Sequence, residues 1–318
     1  MSARVKELDF LKCVFIILMI IFHLVYIGDK YPICKNIIYM FHMPAFLIIS
    51  GYLANINKSF RTFSNTMIWI LIPYIIFETG YVFMSSILPT REQIAELTIP
   101  IFLHKVFISP MGPYWYLHTL ILCSIPYYTI YRLAHKCRNI SRFIMLFSCF
   151  LIMSHILHLL SFSNTIYFMI GIVIGQNKIN FTDFFQFSLL SIIPFTILCF
   201  YHESIIHKTL FGAIMTYLAI SIALSLHNFL PYNIKILCYF IGRSTLVILL
   251  FSPIFTILSK LYLPLFAFDH SGIVFMCSSI IFVISGSLFL TAIIDKLHLS
   301  FLLFGKKKML QDYSFKYR

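Results

Sequence analysis

Between Leu11 and Ile294 ten apolar runs are separated by nine breaks, most of them short. The runs lie roughly at Leu11–Gly28, Ile37–Ala54, Met67–Leu88, Trp115–Tyr131, Phe143–Leu160, Phe162–Ile174, Phe184–Tyr201, Leu210–Leu226, Ile234–Ile257 and Ile273–Ile294. A helix rises about 1.5 Å per residue, so each run spans, or nearly spans, a hydrocarbon layer of roughly 30 Å. The pattern predicts an all-α, polytopic transmembrane helix bundle of about ten spans. Only SFSN separates the fifth run from the sixth, and the sixth is short, so nine and eleven are the neighbouring counts.

Charge distribution orients these spans. With the N-terminus in the cytoplasm, seventeen Lys and Arg fall on the inner side and six on the outer, while Arg243 stays within a span. This is the bias expected of a membrane protein with both termini cytoplasmic. The longest outer loop, about Pro89 to Tyr114, reads as a lid or re-entrant piece. No repeat or low-complexity linker divides the chain, and residues 1–318 read as a single domain.

Composition supports the same picture. The 318 residues are 60% hydrophobic and only 11% charged, with mean hydropathy +0.91, more apolar surface than a soluble domain of this size can hide. The net charge of +13 is thereby explained by basic cytoplasmic loops, and no nucleic-acid partner is expected. Eight scattered Cys form neither a CxxC nor a Cys–His cluster, so no metal site is expected. No small-residue cleavage site follows the first apolar run, which is therefore read as a retained span.

Some polar groups nevertheless lie deep. From Lys12 at the inner mouth to His23 is eleven residues, or about 16 Å along a helix. The second span returns inward and carries His42 at a similar depth. Glu78 on the third span, with Trp115 and His118 at the outer start of the fourth, falls in the same layer. A buried His bonded to a backbone carbonyl, and a Trp in the interfacial belt, are the plain alternatives. Ionisable groups within a bilayer are costly and usually face a cavity, so two His and one Glu in one layer read as a site. At the inner mouth Asp9 sits among Arg4, Lys6, Lys12, Lys58 and Arg61, and its carboxylate needs a partner such as Lys12 or Arg61.

These residues resemble a known family. Arg4, Leu8-Asp9, Lys12 and then His23 after ten residues resemble the first-span signature of the acyltransferase-3 membrane proteins. FHMPAFLIISGY (41–52) is similar to their second-span motif, PYWYL (113–117) to their fourth span, FMIGIVIG (168–175) to their sixth, and IGRSTLVILLFS (241–252) to a late Gly-x-x-Ser/Thr-Leu segment. There are departures. Lys58 stands where the family often has Arg, and Leu249 and Ser252 stand where many members have Tyr and His. No esterase-like extracellular domain is appended, so the chain reads as the minimal form.

The resemblance implies an O-acyltransferase of a bacterial cytoplasmic membrane. It would move an acetyl group from cytoplasmic acetyl-CoA to a hydroxyl of a surface glycan or its lipid-linked precursor. His23 is then the expected general base, with His42 or Glu78 orienting it or binding the acceptor. Trp115 and His118 are expected at the acceptor, and Asp9, Lys12, Lys58 and Arg61 at the donor. No nucleophilic Ser or Cys stands beside a base, which favours direct transfer. Membrane lipids are the surroundings, and homo-oligomerisation is left open. The competing reading is a transporter or flippase, whose cues would be inverted repeats and paired broken helices. Neither is evident, although Pro44, Pro73, Pro126, Pro194 and Pro253 stand in or beside spans.

Overall fold

A computed structural model describes residues 5–87, 93–206 and 208–310. Arg4, Arg91, Lys316 and Arg318, which enter the charge count, lie outside the described residues, as do both chain ends and the first residues of the long loop. Every described element is helical or a turn. In chain order the helices begin with α1 (Lys6–His23), α2 (Val25–Lys30), α3 (Pro32–Tyr39), α4 (His42–Leu53), α5 (Phe60–Ile87) and α6 (Ile99–Phe107). They continue with α7 (Trp115–Leu133), α8 (Asn139–Leu151), α9 (Phe162–Gln176), α10 (Phe181–Phe184), α11 (Ile192–Phe200) and α12 (His202–Ile205). Last come α13 (Thr209–Phe229), α14 (Tyr232–Arg243), α15 (Thr245–Tyr262), α16 (Ile273–Lys296) and α17 (Ser300–Phe304).

Among the described residues six helical stretches are long and apolar enough to cross a membrane: Pro32–Leu53, Phe60–Ile87, Asn139–Ile156, Thr209–Phe229, Thr245–Phe266 and Ile273–Lys296. Shorter apolar helices cover Phe162–Gln176 and Leu189–Phe200. The first expected span is a helix too, but its opening turns carry Lys6, Glu7, Asp9 and Lys12. This is a multi-pass membrane protein.

Helix α16 turns mostly small and hydroxyl-bearing residues inward. On α16 the inward stripe is Phe275, Ser279, Val283, Ser287 and Thr291, while Ile281, Phe289 and Ile293 are exposed. A lipid-facing helix gains nothing by hiding Ile and Phe, so small and hydroxyl-bearing residues take the contact face. Tyr262 on α15 donates to Ser279 Oγ across that face (2.9 Å). Outside the spans, Asp269 opens α16 by accepting from the Ser271 hydroxyl (2.6 Å) and the Val274 N–H (2.7 Å). The Ser271 hydroxyl, with nearby backbone N–H groups, holds the Asp269 carboxyl below the usual carboxylate range.

The chain divides into two compact units. One comprises Met1–Lys58 with Thr119–Thr245, the other Ser59–His118 with Leu246–Arg318. In the first, two close helix contacts rest on glycine. A Cβ at Gly51 on α4 or at Gly171 on α9 would lie 2.0 Å from a backbone oxygen of the other helix. A Cβ at Gly242 on α14 would meet the Asp9 carbonyl of α1 at 1.7 Å. The glycines of the second-span, sixth-span and late motifs thus serve close packing.

In the second unit the expected outer loop contains a true helix, α6, laid against α5. Thr98 caps it, accepting from the Ile101 N–H (3.4 Å). Helix α5 starts behind Ser59, whose hydroxyl accepts from the Thr62 N–H (3.3 Å).

Candidate functional site

In the first unit, both candidate histidines stand where a helix breaks. Helix α1 ends at His23 because Leu24 turns to extended backbone (φ −66°, ψ 107°), and α4 begins at His42 behind Phe41 (φ −132°, ψ −29°). Neither the first nor the second apolar run is therefore one continuous helix. Each imidazole closes back on its own chain. His23 Nδ1–H donates to the Met19 carbonyl (2.7 Å), and His42 Nδ1–H donates to the Ile38 carbonyl (2.8 Å).

Those bonds fix the chemistry of the rings. A carbonyl only accepts, so in each neutral imidazole Nδ1 carries the hydrogen and Nε2 carries the lone pair. The carbonyl bond of the plain alternative is present, yet it leaves the basic nitrogen on the far side of the ring. His42 Nε2 is buried with no hydrogen-bond partner among the described residues.

Tyr39 joins the two rings. Its ring centroid is 6.2 Å from that of His23 and 5.2 Å from that of His42, and its hydroxyl donates to the Phe22 carbonyl (3.2 Å). The hydroxyl therefore ties the last turn of α1 to α3. Sequence reasoning missed Tyr39. The available signal was its place three residues before His42, on the same helical face when the backbone allows.

At the opposite end of α1, Asp9 is buried at 1% exposure. Its Oδ1 accepts from Lys12 Nζ (2.9 Å) and its Oδ2 from Arg243 Nε (3.2 Å). Lys12 was an expected partner and Arg243 was not. The clue was that Arg243 alone among the Lys and Arg fell within a span, where a charge needs a counter-ion. From α13, His227 Nε2 bonds the Tyr239 hydroxyl of α14 (2.7 Å), and the His227 ring lies 4.9 Å from that of Phe10 on α1. Lys58 is fixed through its backbone, whose carbonyl accepts from the Tyr128 hydroxyl (2.9 Å).

In the second unit, Glu78 and His118 reach along the chain to backbone groups. Glu78, 0% exposed, accepts the Met111 N–H at Oε1 (2.6 Å). His118 Nε2–H donates to the Phe107 carbonyl (2.9 Å), and the Tyr74 hydroxyl donates to the Val106 carbonyl. Three side chains thus hold the segment from the end of α6 to Met111. His118 and Tyr74 also face each other, with centroids 5.7 Å apart. Tyr114 follows, its hydroxyl donating to the Leu250 carbonyl (2.8 Å), and α7 begins at Trp115, which is half-buried. Arg61 is exposed in the first turn of α5.

The structure therefore gathers His23, Tyr39 and His42 in one unit, and Glu78 and His118 around one segment of the other. It groups Asp9 and Lys12 with Arg243. Among the described residues no His, Cys, Asp and Glu cluster is arranged to hold a metal ion. Residues 5–292, nearly the whole chain, match the sequence profile of the acyltransferase-3 family, described as an acyltransferase domain. No curated protein and no solved structure matches the chain.

Proposed function

The chain belongs to the acyltransferase-3 family and is a membrane acyltransferase, and from that premise we propose that it transfers an acetyl group from cytoplasmic acetyl-CoA to a hydroxyl of a surface glycan or its lipid-linked precursor. The membrane is the cytoplasmic membrane of a bacterium, crossed about ten times with both chain ends inside. His23 is the general base. The observation that carries this assignment is the Nδ1–H bond from His23 to the Met19 carbonyl, which leaves Nε2 as the ring's proton acceptor.

The reaction then runs in one displacement. His23 Nε2 takes the proton of the acceptor hydroxyl as its oxygen attacks the thioester carbonyl. The new C–O bond forms, the C–S bond breaks, and the departing thiolate takes the proton back from the imidazolium. A neutral hydroxyl is a poor nucleophile, and a group with pKa near neutral is the side chain best matched to this work. His42, joined to His23 through the Tyr39 ring, supports the base or the acceptor.

Distance supports the donor's placement. Helix α1 is unbroken from Lys6 to His23, so Lys12 and His23 are about 16 Å apart along its axis. That interval suits an extended pantetheine arm, with the CoA phosphates at Lys12 and Lys58 and the thioester at His23. The test is thiol release from acetyl-CoA by the purified protein, with mass spectrometry of the acceptor glycan. Acetyl-CoA-dependent thiol release with O-acetylated product supports the reading. Turnover only with a donor that is not a CoA thioester would sink the donor assignment.

A further inference from the structure

Among the described residues the Asp9 carboxylate pairs with Lys12 and with Arg243, and the exposure of the three side chains is uneven. Its own side chain is 2% exposed, whereas those of Lys12 and Arg243 are 18% and 22% exposed. The acid lies behind and the two cations lie in front. A carboxylate repels phosphate, so Asp9 is poorly suited to contact an anionic donor itself. Its geometry suits a different task, because each oxygen holds one cation (2.9 and 3.2 Å) and so sets their spacing.

Arg243 is placed by the backbone as well. It is the last residue of α14, directly after Gly242, whose missing side chain lets α14 lie on the Asp9 carbonyl of α1. Its Nε is the atom turned to Asp9. A guanidinium carries five N–H donors in a planar fork, of which this pairing uses the one on Nε. The neighbouring ionisable groups on these helices are Lys6 and Glu7 on α1, His227 on α13 and Lys235 on α14. Counted with Asp9, Lys12 and Arg243, they leave the cluster net positive.

We propose that Arg243 and Lys12 together contact the phosphates of the CoA donor, and that Asp9 is a positioning residue that fixes the pair. The inference rests on the acetyl-CoA reading above and adds Arg243 to the donor site. It also separates Asp9 from the groups that touch the donor. A purely structural tie between α1 and α14 is the competing account.

The test is equilibrium binding of CoA to the full-length protein in detergent, with the melting temperature of each variant measured alongside. Arg243→Gln weakens binding about tenfold or more, since a charge-assisted bond to phosphate is lost. Arg243→Lys recovers most of that loss, because charge is kept and only the fork is missing. Asp9→Asn is the sharper variant. It makes the cluster more positive, so simple charge attraction predicts tighter binding, whereas loss of positioning predicts binding several-fold weaker.

Unchanged CoA affinity in folded Arg243→Gln, with only the melting temperature lowered, overturns the proposal in favour of the structural tie. Tighter binding by Asp9→Asn removes the positioning role. If Arg243→Gln does not fold, Arg243→Lys and Asp9→Asn decide by the same criteria. Absence of CoA binding by the unaltered protein overturns the donor reading itself, and this inference with it.

Discussion

Two regions of this protein use histidine and carboxylate in opposite ways. Around α1, α3 and α4, His23 and His42 each bond a carbonyl four residues back on the same segment. Around α5, α6 and α7, Glu78 and His118 reach 33 and 11 residues along the chain to backbone groups of the α6 segment. A local bond orients a ring without making it a strut, and in His23 and His42 it leaves Nε2 as the proton acceptor. A long-range bond makes the side chain a strut, whose loss releases a segment. Position within an apolar run does not separate these two uses; the partner does.

The comparison is testable first through stability. Glu78→Ala strips the buried Met111 N–H of its acceptor and is expected to cost about 2 kcal/mol, the penalty for a buried polar group left unmade. Glu78→Gln keeps a carbonyl oxygen at that place and should restore most of the melting temperature. An Ala variant as stable as the parent would show that Glu78 is no strut. His118→Phe is the next largest, at about 1 kcal/mol, since it orphans the Phe107 carbonyl while keeping an aromatic ring against Tyr74. Partial proteolysis should then cut near residues 107–111 faster than in the parent.

Tyr39→Phe is expected to have the smallest effect on stability, below about 1 kcal/mol, because it removes one half-exposed hydrogen bond to the Phe22 carbonyl. Its mark should appear in turnover, which falls several-fold as the end of α1 loosens. Tyr39→Ala, which also removes the ring between the histidines, should fall further. Equal turnover in both variants would show that the ring does not order the site.

How much of this was legible in the sequence differs between the same regions. The helical class follows from the apolar runs, and the unbroken stretch from Lys12 to His23 follows from counting residues along the first of them. The break at Leu24 does not, since no Gly or Pro marks it, whereas the break at Met40–Phe41 carried a signal in Pro44, which cannot accept a continuous helix over the carbonyl four residues back at Met40. The glycines at 51, 171 and 242 were visible as motif positions, but their partners lie on distant helices. The Asp9–Arg243 pair joins residues 234 apart, beyond any local pattern, although an arginine within a span already asked for a counter-ion. The run IPIFLHKVF stood within a loop that reads as a lid or re-entrant piece, and neither its helix nor the side chains that bind it down were read there.

The claim that His23 is the proton acceptor is tested most directly by His23→Gln, assayed for acyl transfer alongside its melting temperature. Gln keeps hydrogen bonding at this position but cannot take up a proton near neutral pH. The account predicts a loss of about a hundredfold or more in turnover, the scale of general-base catalysis, at an unchanged melting temperature. Near-normal turnover in a well-folded His23→Gln protein would contradict it, and would move the base to His42.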